Sequence, residues 1–338
     1  MTTLSDSGNV RRATMNDVAR LAGVSIKTVS RVVNGERGVH PGTASRVLVA
    51  IDQLGFRRNL GARNLRRGAE TGIVGLVLED VANPFYSMLT RAVEEVVSAQ
   101  GAQVLTGSSG EDPARERELV LEFLSRRVDG LLVVPAGDRH GYLAREVRTG
   151  TPVVFVDRPA GGVEADTVLV DNVGGTALAA RHLAEHGHRR IAFLGDAPGI
   201  STAAERLRGF REGCAQAGVP FDAELVRMGP HTAESVADAL AGPLRAASAL
   251  VTGNNRITVH ALRALAGRVA RPALVGFDDF ELADLLDPPI TVITYDVREL
   301  GASAARAVYA RLGGDTAPPR RLVLPTRLLA RGSGEVSA

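Results

Sequence analysis

The 338-residue chain has no tryptophan, one cysteine and one lysine, and aromatic residues make up only 4% of it. A lone thiol, Cys214, forms no internal disulfide, which fits a reducing cytoplasm. No run of about 18 apolar residues is present, so no membrane-spanning helix is expected. Residues 1–9 are polar and lack the apolar core of a secretory signal. No metal pattern emerges either. His182 and His186 are four apart but have no Cys partners, and they are expected to close an Ala-rich helix at Gly187 as a solvated end. There is no P-loop, no Ser-His-Asp order, and no G-x-G-x-x-G after the first strand. Acidic neighbours such as Asp278-Asp279 are poorly placed for joint acid–base work. Neither an enzyme nor a cofactor is therefore expected. What is present, 45% hydrophobic and 23% charged residues, describes a globular protein too long for one core.

The formal net charge of +2 conceals an asymmetry. Residues 1–68 hold twelve Arg and Lys against four Asp and Glu, a charge of +8 that leaves −6 for residues 69–338. A cationic segment on an anionic body is the electrostatic footprint of a polyanion binder. The segment is also full of folding signals. Thr14 can cap a helix with the Asp17 carboxylate in its first turn, and Gly23 can end it in the left-handed conformation. Val18, Ala19, Leu21 and Ala22 form the apolar stripe of that helix. Ser25 can cap a second helix over Ile26–Val33, closed by Asn34-Gly35, with Val29, Val32 and Val33 turned inward. A third helix near 43–54 is expected to place Ala44, Val47, Leu48, Ile51 and Leu54 on one face. Two short helices across so tight a turn make a helix-turn-helix, whose second helix is offered to the major groove. Its outward residues are Ile26, Lys27, Thr28, Ser30 and Arg31. Hydroxyls suit phosphates, Arg or Lys can grip guanine, and an apolar tip can touch a thymine methyl.

The ungapped run from Thr14 to Gly35 resembles the headpiece of the lactose/galactose repressor family. The resemblance implies that Ile26 and Lys27 set operator preference, that Ser25, Thr28 and Ser30 meet the DNA backbone, and that Arg31 meets a base. It also implies a hinge helix over residues 59–68, from Asn59, that orders on cognate DNA beside its twin. Leu65 matches the leucine that wedges into the minor groove, an insertion that unstacks a base step and kinks the duplex. On the residues alone, a basic linker with a stray leucine is the lesser alternative: so short a helix is marginal in water, yet a flexible linker would have little use for Leu65 amid positive charge.

From Gly72 onward, short β-branched runs alternate with helical stretches. Strands are expected near 73–78, 104–106, 130–134, 153–156, 168–170, 191–194, 249–251, 274–277 and 292–294. Helices are expected near 84–99, 113–126, 142–149, 175–186, 203–217, 232–240 and 256–266. Pro84 and Pro113 stand at first helical positions behind the caps Asn83 and Asp112. Repeated βα units imply parallel sheets covered on both faces, here two doubly wound lobes around a cleft. The resemblance extends over residues 13–330 through the landmarks Asp80–Tyr86, Val156–Pro159, Asp171-Asn172, Arg206–Phe210 and Val275–Asp279. It implies a periplasmic-binding-protein-like core in which the chain crosses between lobes near residues 170, 297 and 322.

The expected plan is a basic tail (1–12), an all-α helix-turn-helix domain (13–58) and the hinge helix (59–68). A first core lobe (71–170 and 297–322), a second (171–296 and 323–331) and a flexible tail (332–338) follow. The tail lacks heptad leucines, so a homodimer without a tetramerising coiled coil is expected. Ligands of open α/β sheets sit outside the carboxyl ends of strands, where Asp80, Phe85, Asp157, Arg158 and Asp278 fall. By match to the family, Phe85 or Tyr86 forms an apolar wall, and Asp157, Thr202, Arg206, Asn254 and Asp278 make polar contacts to a sugar-like effector. Asp80 and Asp157 could instead cap helices, Arg206 could pair across its own helix, and Phe85 could be core. Two departures from the family pattern are Asn254-Asn255 in place of Asn-Asp and His231 at a position that is often aromatic. The partners implied are double-stranded operator DNA, a small effector and a second copy of the chain, with no membrane. A transporter's solute-binding protein would share the core but have no use for residues 1–68.

Overall fold

The computed structural model describes residues 13–56, 71–268 and 271–338, which fall in two compact units divided at Thr71/Gly72. The basic tail, the hinge segment 59–68, Asn59 and Leu65 lie outside the described residues.

The first unit contains three helices, α1 (Met15–Ala22), α2 (Ile26–Val33) and α3 (Pro41–Gln53). Thr14 and Asp17 form a reciprocal capping box at the start of α1, and Gly23 ends it at φ 64°. Ser25 caps α2 by accepting from the Thr28 N–H at 3.1 Å. The small core is Val18, Ala19, Ala22, Val29, Val47 and Ala50. Two expectations about its faces are corrected. Leu21 on α1 is 50% exposed, and on the third helix's face Leu48 and Leu54 are 57% and 36% exposed, because Ala22, Val47 and Ala50 complete the inward arcs. A three-helix core of this size is filled by Val and Ala, and the leucines are left outside.

The second unit has two six-stranded sheets. The first lobe is built from β1 (Ile73–Leu78), α4 (Pro84–Ala99), β2 (Gln103–Ser108), α5 (Pro113–Ser125), β3 (Gly130–Val133), α6 (Ala144–Arg148), β4 (Val153–Val156) and β5 (Asp166–Val170). The second is built from α7 (Asn172–Glu185), β6 (Ile191–Gly195), α8 (Ser201–Gln216), β7 (Val226–Met228), α9 (Ala233–Ala241), β8 (Ala249–Thr252), α10 (Asn255–Leu265), β9 (Ala273–Phe277) and β10 (Thr291–Thr294). The chain then returns through α11 (Val297–Leu312) and β11 (Arg321–Leu324) to the first lobe, and ends in the second with β12 (Arg327–Leu329). The sheet orders β11-β5-β4-β3-β1-β2 and β12-β10-β9-β8-β6-β7 are the same arrangement twice. All pairs are parallel except β10 with β12. Strands buried on both faces explain the unbroken runs such as Ile73–Leu78 and Ala273–Phe277.

Helix packing depends on glycine at the closest approaches. A Cβ at Gly209 on α8 would collide with the Val173 carbonyl of α7, and one at Gly213 would come within 2.6 Å of the Ala177 carbonyl. On α11, a Cβ at Gly301 would sit 2.7 Å from the Leu89 carbonyl of α4.

Two boundaries move. β11 pairs with β5 through Leu324, so the last crossing falls at Pro325-Thr326 and not at 322. Residues 332–338 are no flexible tail. The Ser333 hydroxyl, buried, donates to the Leu274 carbonyl at 2.6 Å, and its oxygen accepts from the Thr291 N–H at 2.9 Å. Glu335 meets His182 Nε2 at 2.5 Å and accepts from the Thr291 hydroxyl at 2.7 Å, while the Val336 carbonyl lies 2.8 Å from His188 Nε2. The end of α7 is therefore covered, and the expected solvated pair His182 and His186 is a packed one, with ring centroids 4.5 Å apart. Composition alone hid this, since Gly and Ser here serve close approach and hydrogen bonding. Among the described residues, no helix is long and apolar enough to cross a membrane.

Candidate functional site

The loops at the carboxyl ends of both sheets carry the polar side chains of the second unit's cleft. The repeated strand order puts an aspartate at matched places in the two lobes: Asp157 directly after β4 and Asp278 directly after β9. Both adopt left-handed backbone, at φ 69° and 67°. Both donate their N–H to the next strand of their sheet, Asp157 to Val168 and Asp278 to Ile293. Non-glycine residues in this region are uncommon and cluster at functional sites. The two residues are 5% and 8% exposed.

Around Asp278, the Tyr295 hydroxyl donates to Oδ1 at 3.0 Å, and Arg206 Nη1 stands 3.7 Å from Oδ2. Arg206 is fixed on α8. Its Nε donates to Asn172 Oδ1 at 2.8 Å, its Nη1 to the Gly253 carbonyl at 2.6 Å, and its guanidinium lies 3.9 Å above the centre of the Phe277 ring. It does not pair along its own helix. Thr202, one turn before it, is buried. Asn254 caps α10 by accepting from the Ile257 N–H and also donates to Asp196.

In the first lobe, Arg158 grips Glu111 with both nitrogens at 2.6 and 2.7 Å and donates to the Pro135 carbonyl at 2.8 Å. Its Nε is buried and has no acceptor among the described residues. Phe85 meets Tyr86 and Tyr295 edge to face at 4.7 and 6.3 Å, so it is packed among aromatic rings. Asp80 is 38% exposed at its side chain and accepts from the Ala82 N–H at 2.9 Å, holding the turn ahead of α4, which Asn83 caps.

The lobes touch directly. Asn255 Nδ2 donates to Asn83 Oδ1 at 2.9 Å with both residues buried, and Arg256 reaches Glu79 at 3.5 Å and Asp80 at 3.6 Å. A cavity of about 540 Å³ opens beside the crossings, with Phe85, Asp278, Tyr295 and Val297 among its walls. Asp157, Arg158, Thr202, Arg206 and Asn254 do not line that cavity.

Burial raises the acids. Glu79 is pushed up to about 7, by burial first and then by the Glu111 charge. Asp157 rises to about 6, again through burial, with Arg158 and Arg206 pulling the other way. Asp196 and Asp278 rise for the same first reason. Glu79, Glu111, Asp196 and Tyr295 escaped the sequence reading, in which Asn172 figured only as a landmark and Asn255 only as a departure from the family pattern. Glu79, Asp196 and Tyr295 directly follow β1, β6 and β10, which is a positional signal; Glu111 carried none.

In the headpiece, Ile26 is 49% exposed, and Ser25 and Lys27 are exposed beside it. Thr28, Ser30 and Arg31 are half-buried. Thr28 and Ser25 share a hydroxyl contact at 2.9 Å, and Ser30 Oγ accepts from Asn34 at 3.3 Å. Arg31 donates to the Arg37 carbonyl at 2.8 Å and lies 3.7 Å from Glu36. Its guanidinium is held by the loop that follows α2.

Residues 14–59 match the family model described as bacterial regulatory proteins, lacI family, and residues 180–334 match a periplasmic binding protein-like domain. The maltose regulon regulatory protein MalI of Escherichia coli K12 is 33% identical over 95% of this chain and 98% of its own length. The HTH-type transcriptional regulator CelR of Thermobifida fusca is 36% identical over 96% and 99%. Among solved structures, a lac repressor dimer bound to operator and the anti-inducer ONPF superposes with a TM-score of 0.80 at 25% identity, covering 96% of this chain and all of that one. A CelR–cellobiose complex gives 0.70 at 32% identity, covering 95% and 100%.

Proposed function

This chain belongs to the lacI family of bacterial regulatory proteins and is a helix-turn-helix transcriptional regulator, and from that premise we propose that it represses by gripping a pseudo-palindromic operator as a homodimer, under the control of a small hydroxylated effector held between its core lobes. The observation that carries this reading is the union, in one chain, of an exposed reading helix and a two-lobed cleft with buried, incompletely paired polar groups. In the headpiece, Ile26 and Lys27 read base edges, while Ser25, Thr28 and Ser30 meet phosphates. Arg31 meets a base once it leaves the Arg37 carbonyl. Residues 59–68, with Asn59, form the conditional hinge, and Leu65 is the wedge. Exposed Leu282, Leu285 and Leu286 give the second lobe an apolar face for a second copy.

In the cleft, Asp157, Arg206, Asn254 and Asp278 hold hydroxyls, Thr202 and Arg158 support them, and Phe85 and Tyr86 form the apolar wall. Asp80 sits at the rim. An effector that bridges the lobes changes the angle between them and so the spacing of the two hinges. The CelR–cellobiose complex supports a sugar-like effector.

The test is selection of duplexes by the full-length protein from a random pool. A palindrome with half-sites about one helical turn apart is expected. Affinity should fall steeply with salt, and Leu65→Ala should cost far more for the selected duplex than for random DNA. No preference for any palindrome, with or without metabolites, overturns the reading.

A further inference from the structure

The charge balance of the cleft carries the effector reading one step further, to the chemical class of the ligand; this step rests on that reading. The first lobe contributes Glu79, Glu111 and Asp157, and the second contributes Asp196 and Asp278. Against them stand Arg158 and Arg206, with Arg256 about half exposed at the rim. Arg158 is satisfied by its two-pronged pair with Glu111. Arg206 is held by Asn172 and Gly253 and stands 3.7 Å from Asp278. Arg256 is divided between Glu79 and Asp80. Among the described residues, Asp196 has only the Asn254 amide as a direct donor.

Asp157 is left over. Its side chain is 6% exposed, and its oxygens accept no hydrogen bond among the described residues. The cation beside it, Arg158 Nε, is 3.6 Å away, and that nitrogen also has no acceptor. A nearly buried carboxylate and a buried N–H donor thus stand side by side as a loose ion pair, too far apart for a hydrogen bond, and the donor has no acceptor among the described residues. Such groups are costly unless something fills the gap between them. Arg206 and Asp278 of the opposite lobe act on Asp157 electrostatically. A neutral sugar offers this pair hydroxyls but adds no positive charge to a cleft in which five carboxylates meet three arginines. An ammonium next to a hydroxyl satisfies both atoms at once, the ammonium on Asp157 and the hydroxyl oxygen on Arg158 Nε.

We propose that the effector is a hydroxylated amine, an amino sugar or a similar vicinal amino alcohol, whose ammonium binds Asp157 while the neighbouring oxygen accepts from Arg158.

Calorimetry on the full-length protein with matched sets tests this: glucosamine, glucose and N-acetylglucosamine, then the galactose and mannose counterparts. At least one amine is expected to bind about thirtyfold or more tightly than its hydroxyl and N-acetyl partners. Asp157→Asn should abolish that preference; asparagine tolerates the left-handed backbone at this position, and circular dichroism checks the fold. A neutral sugar that binds as well as or better than its amine, a preference that survives Asp157→Asn, or no binding by any amine at millimolar concentration overturns the assignment. The cleft reading fails separately, if filling the cleft by Thr202→Trp leaves the response of operator binding to a metabolite extract unchanged.

Discussion

Asp157 concentrates the chemistry of the core in one side chain. Burial lifts its carboxyl from an ordinary 3.8 to about 6, above its value in the unfolded chain. The folded state therefore binds the proton more tightly. The stability this lends is fully present below the unfolded value and is lost as pH rises through the folded one. At about pH 8 the ligand-free Asp157→Asn variant should be more stable than the parent by about 1–3 kcal/mol, and the difference should shrink towards zero by about pH 4. Urea denaturation across that range measures it, and parallel curves for the two proteins would refute the expectation. The residue itself was legible, because an aspartate directly after a strand of an α/β sheet lies where ligands bind. Its left-handed backbone and missing partners were not, since both depend on loops brought together from distant parts of the chain. The same holds for Arg158, whose partner Glu111 lies 47 residues away in sequence.

At the scale of elements, local chemistry is what the sequence announces. Helices that begin with a capping side chain, such as Asn83 before Pro84, Asp112 before Pro113 and Ser25 before Ile26, were expected at the right residue. α11 was not foreseen as a helix, because only Leu300 and Val308 mark its buried side, and the Gly301, Ala304 and Ala305 between them do not stand out against an Ala-rich sequence. β7 escaped because it has three residues with Arg227 at its centre. Small-residue faces have measurable consequences. Gly209→Ala should push α8 away from the Val173 carbonyl and cost about 1–3 kcal/mol, seen as a lower urea midpoint with circular dichroism preserved. The closing segment should behave as part of the second lobe. Deleting residues 332–338 strips partners from Thr291, His188 and His182 and should cost about 2–5 kcal/mol. A thermal midpoint unchanged by the deletion would return this segment to the status of a loose end.

For the whole molecule, the two lobes are repeats of one strand order that meet through few polar contacts. The bond from Asn255 to Asn83 is the buried one of these, and it uses a residue that sets this chain apart from the usual family pattern. Asn255→Ala should relax the ligand-free core towards a more open arrangement by about 1–2 kcal/mol, visible as a larger radius of gyration in small-angle scattering. An unchanged radius would mean that other contacts hold the lobes together. Three chain passages join them, at Asp171, at Tyr295-Asp296 and at Pro325-Thr326. They run alongside one another: the Asp171 N–H donates to the Leu324 carbonyl, Thr326 Oγ1 donates to the Asp171 carbonyl, and Thr294 pairs with Arg327. A body hung on three adjacent pins swings like a door and does not swivel freely. Whatever the ligand supplies at the far edge of the cleft is thus turned into rotation about one axis, and a modest push there has little choice of direction in which to be spent.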